Sequence, residues 1–240
     1  DAAPPDAHHI HARIFGLRQT LAQTRRIIGT RQKHIVGNPV GALTPNLFAV
    51  NFHRPSRANL VGRSIKFDLA EADLQGADLH GLDLRTVRLT AAKLSKAILA
   101  RVSLCGVDLS GADLTRATLR SASLSAVSAP GAVFEHCDLD FLDLSQTFFS
   151  GARFRSASLQ SCSLVRSNFA GADLSVTKLE GSDLSEANLV GANLSDVNFR
   201  GIKMAGAQFD GADLTRAYFE GVVAARGSFP NANFTKANLK

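Results

Sequence analysis

A five-residue period governs most of this chain. From Leu69 to Leu239 every fifth position holds a centre residue, 35 in all: 23 Leu, nine Phe, Met204, and the alanines Ala129 and Ala224. Two residues before most centres stands a small or β-branched residue, as at Ala72, Ala77, Ala92, Cys137, Ala152 and Ser182. Asp or Asn often lies between the two, as in Ala77-Asp78-Leu79 and Ala172-Asp173-Leu174. A helix repeats every 3.6 residues and a strand every two, so neither accommodates a period of five. Only a repeat architecture does.

Composition agrees. With 45% hydrophobic and 20% charged residues among 240, the chain can bury a core and is not a disordered polymer. No apolar run approaches the roughly 18–20 residues that cross a bilayer. Fifteen Phe against one Tyr and no Trp point to a core that wants aromatic volume without a polar handle. Cys105, Cys137 and Cys162 form no CxxC pair, which argues against a disulfide framework or a zinc site.

The motif A-(D/N)-L-x-x, held in register over 35 consecutive pentapeptides, resembles the pentapeptide-repeat family. That resemblance implies an all-β solenoid, a right-handed quadrilateral parallel β-helix with one pentapeptide per side and four per coil. The centre and the small residue two before it would point inward, the other three outward. About nine coils stacked at about 4.8 Å would make a rod on the order of 42 Å long. Counted by sides, side one reads Leu69, Leu89, Leu109, Ala129, Phe149, Phe169, and side four carries no Phe centre at all. The recurring Asp residues are then structural, Cys137 and Cys162 replace the small inward residue, and Ser175, one place after a centre, faces out.

Charge locates a boundary. Residues 1–66 hold ten Lys/Arg against Asp1 and Asp6, whereas the remainder carries a net charge of −2. Ile10, Ile14, Leu17, Leu21 and Ile28 share one stripe of a helix flanked by Arg13, Arg18, Arg25 and Arg26. We divide the chain into a basic N-terminal extension, 1–57, with an amphipathic helix and a cap, and a β-helix, 58–240. The part from about residue 40 would shield the open coil end, whose unpaired edges otherwise template aggregation. The first coil begins irregularly near Ala58-Asn59-Leu60.

A core filled with Leu, Phe and Ala leaves no concavity for catalysis. No phosphate loop, nucleophile elbow or dinucleotide fingerprint occurs, and we expect no enzyme and no cofactor. The cluster His8-His9-Ile10-His11 reads as a partner-facing segment rather than a metal site. The best-understood relatives implied by the resemblance protect type II topoisomerases by imitating DNA, which demands an acidic rod. Here seven bases (Arg85, Arg88, Lys93, Lys96, Arg101, Arg116, Arg120) crowd the first third. The favoured reading is a non-catalytic scaffold rod, a structural or assembly component docked to protein partners through its basic arm. The DNA mimic is the alternative, and nucleic acid is disfavoured as a partner. The Arg-flanked helix also allows peripheral membrane contact. A chain beginning at Asp1, with a basic arm and a neutral rod, suits an organellar (plastid or mitochondrial) or exported component after leader removal. Candidate contact residues are Arg13, Arg18, Arg25 and Arg26 on the arm, and the outward Phe141, Phe148 and Tyr218 on the rod. Ile98, Val165, Val190 and Val223 are further apolar residues at outward positions.

Overall fold

The computed structural model describes residues 67–222 and 224–240. The arm helix, the cap, the irregular first coil and Val223 lie outside the described residues.

Each pentapeptide satisfies its backbone by a fixed scheme, visible around Leu74 and Lys93. The centre Leu74 N–H donates to Lys93 C=O of the next coil at 2.8 Å, and Lys93 N–H returns to Ala72 C=O at 2.9 Å. Gly76 N–H, two past the centre, also donates to the next coil, to Ser95 C=O at 2.9 Å. Ala77 N–H closes a turn onto Leu74 C=O at 3.0 Å. One donor per repeat remains, the N–H just after the centre. It is taken by the side chain of the Asp or Asn just before the centre: Gln75 N–H to Asp73, Thr115 N–H to Asp113, Ala170 N–H to Asn168, Ser195 N–H to Asn193. The motif's Asp/Asn is therefore an Asx turn that completes the hydrogen bonding of every side in which it occurs.

The parallel bridges fix the coil. Asp73 pairs with Lys93, Lys93 with Asp113, Asp113 with Val133, and Val133 with Arg153, a constant offset of four pentapeptides. The strands β1 (Phe67–Asp68) and β2 (Val87–Arg88) pair in the same parallel register. The fold is a repeat β-solenoid with four sides, built from bridges too short to count as long strands. Sides one to four are numbered by their first centres, Leu69, Leu74, Leu79 and Leu84.

The corners are left-handed. Each is a turn whose third residue has a positive φ, the signature of a type II turn. Glycine occupies only some of them: Val176 (φ 53°), Phe141 (φ 63°) and Arg101 (φ 57°) adopt the same conformation with side chains. Thr86 is the exception among the described corners between centres. Its φ is not positive, although Val87 N–H still reaches Leu84 C=O at 2.9 Å.

The interior is solid. Centres from Leu74 to Leu214 are buried, and so is the residue two before them from Ala77 to Ala217 except Leu82, as the repeat predicts. On side two that inward column is alanine throughout, from Ala72 to Ala232. Phenylalanines fill the axis above Ala129: Phe134 stacks on Phe154 at 4.8 Å, Phe149 on Phe169 at 5.1 Å, and the two columns meet edge to face. Ala129 is fully buried beside Phe134, a small centre next to a large one that conserves core volume. Ala224 is half-buried and instead lines a hollow at the last coil with Phe219, Phe229 and Phe234. Inward polar residues are satisfied by carbonyls: Cys137 and Cys162 thiols donate to Leu114 and Leu139 C=O at 3.0 Å, and Thr177 to Phe154 C=O at 2.9 Å.

Ser175 departs from expectation. It is only 4% exposed, and its hydroxyl has no hydrogen-bond partner, so the position after Leu174 is buried rather than outward. Its column holds Arg155, which is exposed, and Ser195, which is half-buried, so the burial of Ser175 belongs to its own surroundings and not to its place in the repeat.

Candidate interaction surfaces

The described residues offer a partner the outside of the solenoid and a hollow at its last coil, lined by Phe219, Val222, Ala224, Phe229, Phe234 and Leu239. No three His, Cys, Asp or Glu side chains among them converge on a metal-sized site. Burial pushes the Cys137 and Cys162 thiols up to about 12, which leaves them protonated and inert. Cys105 is half-buried, with its sulfur 2.8 Å from Ser123 Oγ.

The outward aromatics are exposed: Phe141 79%, Phe148 55% and Tyr218 54%. They do not form one patch. Phe141 occupies the corner between sides three and four, Phe148 stands on side one, and Tyr218 stands on side three several coils further on. Val190 is exposed on side one, whereas Ile98 and Val165 are half-buried. Val176, 45% exposed at a corner, joins the outward apolar set. It stands two places after the centre Leu174, an outward position, so the repeat register alone locates it. Arg13, Arg18, Arg25 and Arg26 lie outside the described residues.

Charges sort along the rod. Residues 67–84 carry Asp68, Glu71, Asp73, Asp78 and Asp83 with no Lys or Arg; residues 85–120 carry the seven bases against Asp108 and Asp113. Several charges pair between neighbouring coils. Arg166 grips Glu186 at 2.8 Å, and Arg216 grips Asp196 at 2.6 Å and 2.5 Å. Both carboxyls are held below their ordinary range, chiefly by the guanidinium hydrogen bond. Asp108 is also lowered, by hydrogen bonds from the Ser110 hydroxyl and N–H, with a smaller contribution from Thr90. The pairs are exposed, so each contributes little to stability.

Two family descriptions match this chain: pentapeptide repeats (8 copies), over residues 65–90, 83–120, 119–155 and 132–169, and the pentapeptide repeat region, over 152–229. The chain belongs to the pentapeptide-repeat family. Among solved structures it is similar to HetL, a pentapeptide-repeat protein involved in heterocyst differentiation regulation in the cyanobacterium Nostoc, at 33% identity, covering 73% of this chain and 84% of that one, with a TM-score of 0.31. A pentapeptide-repeat protein of the Arabidopsis thaliana thylakoid lumen is 33% identical, with 39% of this chain and 66% of that one covered and a TM-score of 0.38. QnrB1, a plasmid-mediated fluoroquinolone resistance protein, in a trypsin-treated variant, is 22% identical over 69% of this chain and 91% of that one, with a TM-score of 0.55. That likeness is one of fold. Comparison with curated proteins finds no match. Among the described residues no helix is long and apolar enough to cross a membrane.

Proposed function

We propose that this pentapeptide-repeat protein is a non-catalytic interaction rod, a right-handed quadrilateral β-helix over 58–240 that positions protein partners or locks into a larger assembly. The observation that carries this reading is the division of labour within each repeat. Two residues fill the axis, the Asx residue closes the turn, and the outward side chains are free to vary, so function has only the surface to use. The basic extension, 1–57, leads attachment through Arg13, Arg18, Arg25 and Arg26, while the rod supplies length, shape and secondary contacts at Phe141, Phe148 and Tyr218. An organellar or exported compartment fits the basic arm and neutral rod, and the arm's Arg-flanked apolar residues suit anionic membrane surfaces as a subsidiary contact.

The test is co-purification from the native source with and without residues 1–57, at low and high salt. Partners should be recovered with the full chain, diminish with salt, and be lost without the arm, because exposed charge pairs are screened beyond about 8 Å at physiological ionic strength. Recovery that ignores both salt and the arm would refute arm-led docking. The alternative, a DNA mimic acting on a type II topoisomerase, is favoured only by the shared fold with QnrB1. It requires a polyanionic surface, which the basic belt at residues 85–120 interrupts. Protection of gyrase supercoiling from a quinolone would decide for it.

A further inference from the structure

Resting on the reading of the rod as a protein-binding scaffold, we propose that side three, from Lys96 to Phe141, is a docking face for a short acidic segment of a protein partner.

Two successive coils build this face. On the first, Lys96 and Arg101 stand at its two corners, with Ile98 and Ala100 between them. On the next, Arg116 stands at one corner and Arg120 beside the other, with Thr118 between. The parallel bridge Ile98–Thr118 holds the two coils in register, and Arg101 N–H bonds Arg120 C=O at 2.9 Å, so the two arginines leave the backbone side by side. Lys96, Arg101, Arg116 and Arg120 are all exposed. Arg120 has a carboxylate partner, Asp138, at 3.4 Å; Lys96, Arg101 and Arg116 have none within ion-pair distance among the described residues. Elsewhere on the rod Arg88, Arg153, Arg166 and Arg216 are paired with Asp or Glu, whereas Arg155, Lys178, Arg200 and Arg226 have no such partner among the described residues; what sets this face apart is three unpaired cations on two successive coils of one side. Stacked like charges repel, and on these two coils of side three the chain supplies no carboxylate of its own; Asp138, on the next coil, reaches only Arg120. A ligand carrying carboxylates would relieve that repulsion.

The borders of the face set the ligand's shape. Asp78 lies on the coil below, and Asp138 and Asp140 on the coil above. A phosphate backbone running along the rod would meet those carboxylates within about one coil spacing, about 4.8 Å, in either direction. The favoured ligand is therefore short, sets two or three carboxylates against the two basic coils, and ends on an apolar residue toward the coil above. Phe141 gives it an anchor. It stands in the corner column of Arg101 and Ser121, and it is the most exposed large apolar side chain described, at 79%. Arginine and aromatic side chains together are the usual composition of binding hot spots.

The probe is a fluorescein-labelled peptide alternating glutamate and leucine, titrated into the full chain, with a lysine–leucine peptide and a single-stranded oligonucleotide as comparisons. Lys96→Glu with Arg101→Glu and Arg116→Glu should weaken acidic-peptide binding about tenfold or more. Phe141→Ser should weaken it about threefold, also at high salt. Arg25→Glu with Arg26→Glu should leave it within about twofold. The neutral triple change to Gln, with an unaltered melting curve, should weaken binding to an intermediate degree. Peptide binding that survives both triple variants, that is lost with the arm pair instead, or that is matched by the oligonucleotide at the same residues would overturn the proposal. Failure here leaves arm-dependent co-purification intact, and failure there leaves this titration intact, so the two readings fall separately.

Discussion

The left-handed corners make a quantitative prediction about single residues. Val176 sits at φ 53° with its side chain 45% exposed, so little packing compensates for a conformation that β-branched residues avoid. The left-handed region costs a residue with a Cβ roughly 1–2 kcal/mol, whereas glycine enters it freely but loses about 0.5–1 kcal/mol in unfolded-state entropy. Val176→Gly should therefore stabilise the rod by about 0.5–1 kcal/mol. The reverse change at Gly151 isolates the same quantity, because its φ is 64° and a Cβ there would meet nothing within 4 Å. Gly151→Val should cost the same, about 0.5–1 kcal/mol, with no clash at Cβ. For a domain of this size, 1 kcal/mol moves Tm by about 2–4 °C. Thermal denaturation followed by far-ultraviolet dichroism resolves both shifts, which should have opposite signs. If Val176→Gly lowers Tm, or Gly151→Val leaves it unchanged, backbone conformation is not what distinguishes these corners.

Leu174→Asp should unfold its coil, since an unpaired carboxylate would sit among buried apolar side chains at a cost of several kcal/mol; chemical denaturation reads the loss. Ser175→Asp should also destabilise, and Ser175→Ala should be neutral or stabilising by about 1 kcal/mol because it removes an unpartnered buried hydroxyl. The exposed Ser125→Asp should be silent, and equal effects at Ser175 and Ser125 would contradict the burial described. Asp108, Glu186 and Asp196 titrate below their ordinary values in the folded protein, so the stability they lend is complete at neutral pH and drains away as pH falls through those lowered values. Tm should accordingly fall on acidification, and Asp108→Asn, which keeps a turn acceptor without the titration, should flatten that dependence. In native-partner binding, Arg25→Glu with Arg26→Glu should cost more than Phe141→Ser with Phe148→Ser, as a salt-dependent pull-down would register; the opposite ranking would make the rod face the principal contact.

The inward register was legible in the sequence because every side of the solenoid imposes the same demand. A centre must fill the axis and the residue two before it must be small, so Leu114 and Ala112 announce their burial without reference to any neighbour. The Asx residue is equally local: Asp113 accepts from Thr115 N–H two residues on, whichever coil it is in. What the linear order conceals is decided one coil away. Ser175 is buried by its own surroundings and not by its place in the repeat, and the pairs Arg166–Glu186 and Arg216–Asp196 join residues that are distant in sequence and adjacent in space. Phe141 and Phe148 are seven residues apart yet on different aspects of the rod, because side four and the corner at Gln146 lie between them. Lys96, Arg101, Arg116 and Arg120 are scattered among other charges in the sequence, and only the coil offset gathers them onto one side. Period fixes what points inward, since axial space is the same everywhere; tertiary stacking fixes what meets on the surface, since lateral neighbours come from the coils above and below.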